Sequence, residues 1–230
     1  YTERFAYFLP WFIDQDYEEK TLDGQTEEQL VVYTGGFDCV TFIENLQAAC
    51  RTVGSSGPVE EDFAMHLREA RYYRGQIGGY ESRIHYFSDW MRQGKFAGRG
   101  SILSNEFGKP FPKTVNFMSS HPDKYPLLRD KEAIIGAENA LNADLPHFLP
   151  KSELNTYTSL AQNGDIIALT TNIKGLDVVH TGMTETIAGK VYLVHASSKH
   201  GKVRKEPLKD YLSRYNYING IIVFRPTMNE

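Results

Sequence analysis

The last third of the chain is a series of short apolar runs separated by turn signals, and this pattern constrains the fold more than any other feature. Asn163-Gly164 is a turn, and Asp165–Thr170 follows as a strand. Asn172, Lys174 and Gly175 mark the next turn, and Asp177–Thr184 reads as a second strand. Gly189-Lys190 turns the chain again before a third run, Val191–Ser197. Residues 201–206 read as short or turn structure. Pro207–Tyr215 is a short amphipathic helix with Leu208 and Leu212 on one face, and Gly220–Pro226 is a final strand. Runs joined by tight turns pair antiparallel. Helices dominate the residues before them, and that order predicts an α+β fold.

The helical part contains the most pointed local signal, Gly35-Gly36-Phe37-Asp38-Cys39. Leu30–Tyr33 reads as a short strand feeding this glycine turn. Asp38 is a good N-cap, and Phe42, Ile43 and Leu46 then recur at helical spacing to about Ala49 or Cys50. Cys39 therefore falls at the first helical position. Unpaired backbone N–H groups and the positive end of the helix dipole lower a thiol pKa there. The chemical reading is a nucleophile; the plain one is a small buried hydrophobe that follows a cap.

Upstream, residues 1–16 are aromatic-rich, with Phe5, Phe8 and Phe12 on one face of a short helix interrupted by Pro10. They form a packing segment or an exposed aromatic lip. Downstream, residues 51–58 are a loop and Val59–Tyr73 a second helix with acids in its first turn. Tyr80–Trp90 starts extended and continues as a helix to about Gln93. Glycines and prolines punctuate residues 94–130, which read as loop with short helices, one near Val115–Ser119. Lys131–Leu141 is a helix or a strand–helix transition, and Lys151 leads into a short helix ending near Leu160. No linker-like composition appears. The expectation is one catalytic domain over 1–230, with 51–160 a largely helical and loop elaboration between the cysteine helix and the sheet.

Composition excludes several classes. With 230 residues, 41% hydrophobic and 23% charged, the chain is an ordinary globular one with room for a large core. Its net charge of −4 and lack of long basic runs argue against a nucleic-acid partner. No apolar run approaches the ~20 residues of a membrane-spanning helix. The two cysteines, Cys39 and Cys50, lie on one predicted helix. At 1.5 Å per residue they sit roughly 16 Å apart, too far to pair. They are also too few for a thiolate zinc site. The start at Tyr1 reads as that of a mature or trimmed chain.

A thiol nucleophile needs an imidazole within reach and a group to orient that ring. Of seven histidines, His180 and His195 stand out because each lies inside an apolar strand. Adjacent antiparallel strands place two such rings side by side; the alternative is two separately satisfied histidines. In the first reading Cys39 attacks an amide carbonyl, His180 moves the proton and His195 holds its tautomer. The Cys39 backbone N–H and Tyr33 are the candidate oxyanion donors. A zinc site made by His180, His195 and Asp165 or Asp177 is a rival, although no HExxH element is present and a cysteine at a helix start would then be superfluous. Arg83, His85, Tyr86 and Trp90, crowded into one segment, are a candidate substrate-contact stretch or a surface helix with a buried aromatic face.

Four ordered pieces, FDCVTFIEN, NGDIIALT, DVVHTGM and YLVHASS, together carry a resemblance. They resemble the NlpC-type superfamily of bacterial cell-wall cysteine hydrolases and, more narrowly, the N-acetylmuramoyl-L-alanine amidase-like family. TLDGQTEEQLVV and RIHYFSDW also resemble the narrower family, so the likeness runs in pieces from about Tyr17 to the C-terminus. The resemblance implies Asp38-Cys39 as nucleophile segment, Gly164-Asp165 opening the sheet, His180 as base and His195 as orienting residue. It implies a papain-like core with the nucleophile helix packed on an antiparallel sheet. It further implies hydrolysis of the amide between N-acetylmuramic acid and L-alanine in peptidoglycan fragments, with no metal or other cofactor. The expected location is the periplasm or cell envelope, after removal of an N-terminal signal not present in this chain. Thr181 replaces the usual valine after the base, and about 125 residues separate Cys39 from Asp165. That long stretch is expected to shape a selective cleft, with Arg83 and Tyr86 meeting a carboxylate or sugar beside His85, and Trp90 beneath them. Cleavage within the stem peptide, or envelope binding without catalysis, are the alternatives.

Overall fold

The computed structural model describes residues 1–24, 27–54 and 57–228. Helix α1 spans Thr2–Phe12, α2 Cys39–Thr52, α3 Val59–Arg71 and α4 Phe87–Phe96. Strand β1 (Gly100–Ile102), α5 (Ser104–Phe107), α6 (Phe117–Ser120), α7 (Lys131–Ala143), β2 (Leu149–Pro150) and α8 (Leu154–Thr158) fill the middle. The last part holds β3 (Ile166–Thr171), β4 (Val178–Ile187), β5 (Lys190–Ser197), β6 (Lys202–Pro207), α9 (Leu208–Arg214) and β7 (Ile218–Pro226). The result is the expected mixture of helices and antiparallel sheet.

The sheet runs β1-β7-β3-β4-β5-β6, with β2 also on β7, and its ladder pairs are antiparallel. Its centre is buried on both faces. Alternation along β3 sends Ile166 and Ala168 toward α2, where Phe42, Ile43 and Leu46 lie fully buried. Ile167 and Leu169 point the other way, toward Leu154, Tyr157, Leu208 and Leu212 of α8 and α9. Each such large apolar side chain contributes roughly 1.5–3 kcal/mol by leaving water. A smaller cluster, Tyr86, Val115, Met118, Ile134 and Leu141, holds α6 and α7 together.

Two readings change. Leu30–Tyr33 is not a strand; the backbone acceptors nearby go to side chains, Val31 O to Arg71 Nη1 at 2.7 Å and Gln29 O to Tyr72 Oη at 3.0 Å. Residues 202–207 are a full strand, β6, whose charged residues hid its period. Within residues 51–160, β1 and β2 extend the sheet along β7 and α3 packs on α2. Lys131–Leu141 resolves as helix α7, capped by Asp130. Ser55 and Ser56 of the expected 51–58 loop, and Gln25 and Thr26 of the stretch at 21–32, lie outside the described residues.

Segment 14–17 runs along the edge strand β6: Asp14 N donates to Val203 O at 2.9 Å and Tyr17 N to Gly201 O at 2.8 Å. The same segment accepts Phe37 N at Asp16 O, 2.9 Å. The chain entering α2 is thus tied to the edge of the sheet just before Asp38.

Asp165, 1% exposed, does structural work at the start of β3. Its oxygens accept Arg225 Nε and Nη2 at 2.7 and 2.8 Å, Tyr157 Oη at 3.0 Å and the backbone N–H of Gln162 at 3.0 Å. Arg225→Ala removes the bidentate partner and strands a buried carboxylate. Urea unfolding should show a loss of about 3–5 kcal/mol; a loss below ~1 kcal/mol would contradict this role.

Candidate active site

Asp38 caps α2 from both sides. Its Oδ1 accepts Val40 N at 2.9 Å and Thr41 N at 2.7 Å, while Thr41 Oγ1 accepts Asp38 N at 2.9 Å. Cys39 is thereby fixed at the first helical position, half-buried, with a free thiol. It lines a cavity of about 210 Å³ together with His85, Tyr86, Tyr125, Asp177 and His180.

Burial pushes the Cys39 thiol up to about 12, and the Asp38 carboxylate acts in the same direction. The backbone N–H groups of Thr181, Cys39 and Val40 act the other way but are outweighed. The expected lowering by the helix start is therefore corrected: the N–H groups are present, yet desolvation dominates. The resting thiol is protonated.

His180 and His195 meet directly, Nε2 to Nδ1 at 2.7 Å. They are diagonal neighbours on β4 and β5. Extending the β4–β5 register by one residue puts Gly182 beside His195. A Cβ at Gly182 would lie 2.6 Å from Val194 O and 3.1 Å from His195 Cβ, so the missing side chain leaves the space the ring uses. Beyond His195 stands Glu206 on β6, with Oε1 at 3.3 Å from His195 Nε2. Arg214 of α9 holds Glu206 through Nη2 at 2.6 Å. Burial raises the Glu206 pKa, but Arg214 and His195 more than offset this and keep it below the ordinary carboxylate value. Tyr211, also on α9, covers both rings, stacked on His180 at 5.8 Å and edge-on to His195 at 4.9 Å.

A carboxylate only accepts, and this sets every proton in the row. Glu206 takes Nε2–H of His195, so His195 Nδ1 is bare. That bare nitrogen takes Nε2–H of His180, which leaves His180 Nδ1 as the free acceptor. Burial drives His180 down to about 3 and His195 down to about 4, so both rings are neutral. A protonated thiol and a neutral base share one cavity, joined to an ordered relay.

The remaining predicted residues divide. His85 and Tyr86 stand in the cavity wall. His85 Nε2 bonds Tyr80 O at 2.8 Å, and burial lowers its pKa to about 4. The Tyr86 hydroxyl is committed, donating to Glu138 Oε1 at 2.7 Å and accepting Met118 N at 2.8 Å. Arg83 does not reach the cavity. It follows the short turn Tyr80–Ser82 and binds Glu28 at 2.7 Å, Asp23 at 2.8 Å and Leu22 O at 2.8 Å. Trp90 is a core residue, 2% exposed and stacked on Phe87 at 5.0 Å, because α4 turns that face onto β7. Tyr33 is also corrected: its hydroxyl donates to Glu18 Oε2 at 2.7 Å and its ring is partly exposed, outside the cavity wall. Tyr17 lies outside that wall as well, and burial and then Cys39 raise its pKa. It stands across a bridge from Phe37, a pairing with no local sequence signal. The acids of the zinc alternative point elsewhere, Asp165 to Arg225 and Asp177 to Ser88 N and Oγ at 2.9 and 2.6 Å. Among the described residues, no group of three or more His, Cys, Asp and Glu side chains is arranged to hold a metal ion.

These features define an α+β protein with a thiol, two imidazoles and a carboxylate at one end of a sheet buried on both faces. The chain belongs to the AmiA-like family, described as N-acetylmuramoyl-L-alanine amidase-like, which it matches over residues 9–221. It is similar to an N-acetylmuramoyl-L-alanine amidase from Bacteroides uniformis, at 32% identity over 98% of each chain with a TM-score of 0.87. It is also similar to a protein from Bacteroides fragilis named a putative xylanase, at 34% identity over 98% of this chain and 100% of that one, TM-score 0.83. A Legionella pneumophila protein, 21% identical over 99% of this chain and 91% of that one, shares the fold with a TM-score of 0.73. No curated protein matches the chain.

Two pH dependences follow. Alkylation of Cys39 by iodoacetamide, read on its own peptide by mass spectrometry, should climb about tenfold per pH unit between roughly pH 7 and 10. A plateau near pH 8 would contradict the protonated thiol. Both imidazoles titrate below the ordinary 6.5. Between that value and about 4 the unfolded chain binds protons the folded chain refuses, so stability falls as pH drops through the window. His180→Gln should flatten this fall in urea unfolding by about 1 kcal/mol or more; an unchanged slope would count against a buried neutral ring.

Proposed function

We propose that the protein is a cysteine amidase of the NlpC-type superfamily, with a papain-like core, that cleaves the N-acetylmuramoyl-L-alanine amide of peptidoglycan fragments in the periplasm or cell envelope. The observation that carries the reading is the continuous row from the Cys39 cavity through His180 and His195 to Glu206, with every proton assigned. The family and the Bacteroides uniformis relative support the substrate class.

The chemistry runs as acyl transfer. Cys39 gives its proton to His180 Nδ1 as sulfur attacks the lactyl carbonyl carbon. Negative charge gathers on the carbonyl oxygen, and the Cys39 backbone N–H at the start of α2 is the donor for it. The imidazolium formed on His180 is stabilised through His195 by Glu206. The C–N bond breaks as His180 protonates the L-alanine nitrogen, leaving a thioester on Cys39. Water then attacks the thioester, His180 takes its proton, and the sugar leaves as a carboxylic acid while the thiol is restored. His85 and Tyr125 line the same cavity as Cys39 and His180.

A purified muropeptide incubated with the protein should release an intact peptide beginning at L-alanine, read by mass. Release of fragments that start at the second or third residue would overturn the bond assignment. Cys39→Ala should abolish turnover. Glu206→Gln adds an N–H that competes with His195 Nε2–H and should lower kcat about 10- to 100-fold with KM little changed. Full activity in either variant would refute its role.

A further inference from the structure

A second, larger cavity has no part in the relay. It lies at the other end of α2, about 18 Å from Cys39 by helix rise, encloses about 840 Å³, and is lined by Arg4, Arg51, Arg74 and Arg99 with His66 and Glu69. We propose that it is a second binding site, for a soluble phosphate-bearing ligand carrying two or three negative charges.

The first argument is charge. Several arginines elsewhere in the fold are paired with carboxylates: Arg71 with Glu44, Arg83 with Glu28, Arg225 with Asp165. Among the described residues none of the four cavity arginines makes an ion pair. Glu69 is the one carboxylate in the wall, so three positive charges are left over, in a chain whose net charge is −4. Guanidinium stays charged at any ordinary pH, so this surplus cannot be relieved by losing a proton.

The second argument is unused donors. Arg4 Nη1 reaches Cys50 O at 3.0 Å, Arg51 Nη2 reaches Arg99 O and Thr227 O at 2.8 and 2.9 Å, and Arg99 Nη1 reaches Glu69 O at 3.0 Å. These backbone carbonyls hold the side chains in place but consume only a few of five N–H groups on each. Arg51 Nε is buried with no hydrogen-bond partner. Burial lowers the pKa of Arg51 and Arg99, and the Arg51 charge lowers Arg99 further, so two cations face each other in a partly dry space. A bound oxyanion would satisfy the donors and offset that repulsion together.

The third argument is shape and chemistry. The volume lies in the range of small-ligand sites. Planar forks of N–H donors match phosphate oxygens in pairs, and the wall contains arginine without lysine. A pyrophosphate or a phosphomonoester fits both the charge surplus and the donor count.

Isothermal titration of the full chain with pyrophosphate and with inorganic phosphate, at constant ionic strength in chloride, tests the site. Saturable one-site binding of pyrophosphate is expected, unchanged in Cys39→Ser and weakened at least about tenfold in Arg51→Gln and Arg99→Gln. Arg74 is exposed, so Arg74→Gln keeps the fold intact and should weaken binding severalfold even if the buried variants unfold. No saturable binding at millimolar pyrophosphate, or equal binding in wild type and the arginine variants, would overturn the proposal. Binding only to phosphatidylglycerol vesicles, with none to free pyrophosphate, would overturn the soluble ligand.

Discussion

The carboxylate of Glu206 is the constraint on which the site depends. It stands at the end of a row of two imidazoles and can only accept, so it dictates which nitrogen of each ring carries hydrogen. Without it the bond between His180 and His195 has two equivalent directions, and in one of them His180 Nδ1 is already protonated. Arg214 keeps Glu206 charged and in place from the next helix, and Tyr211 on that helix packs against both rings. The relay is therefore a property of α9 and β6 as much as of the strands that bear the histidines.

The fold serves this row by fixing its members on separate rigid elements. β4, β5 and β6 are neighbouring strands of a sheet covered on both faces, so His180, His195 and Glu206 inherit a common register. Gly182 leaves room for one ring to reach the other. The thiol comes from a different layer, at the capped end of α2, and segment 14–17 ties that end to the sheet edge. Burial of thiol and imidazoles holds all of them neutral at rest. In the proposed reaction charge separation is then confined to the moment of attack, when the Cys39 N–H and Glu206 stabilise it.

Much of this was legible in the amino-acid sequence. Alternating apolar runs and turn residues disclosed the main strands, and Asp38 marked the start of α2 because capping is a local matter of one side chain and three amides. The two histidines were conspicuous because imidazole is out of place in an apolar strand. Glu206 was not, since Lys202, Arg204 and Lys205 around it concealed a strand, and a glutamate there looks like any solvated charge. Tyr33 stands outside the cavity with its hydroxyl on Glu18, a contact that its nearness to Cys39 in the sequence does not disclose. Arg83 and Trp90 crowd the same segment as His85, but the helix begins only at Phe87, which turns Trp90 into the core and leaves Arg83 to the 22–28 segment. The arginine cavity was invisible for the same reason: its four cations come from four separate parts of the chain.

The most direct test of the account is the protonation pattern of the histidines, measured by two-bond 15N–1H correlation on the 15N-labelled resting protein near neutral pH. The account predicts that His180 and His195 are both neutral Nε2–H tautomers with bare Nδ1 nitrogens, and that Glu206→Gln disturbs this pattern. An Nδ1–H tautomer at His180, or a doubly protonated ring at either position, would contradict it.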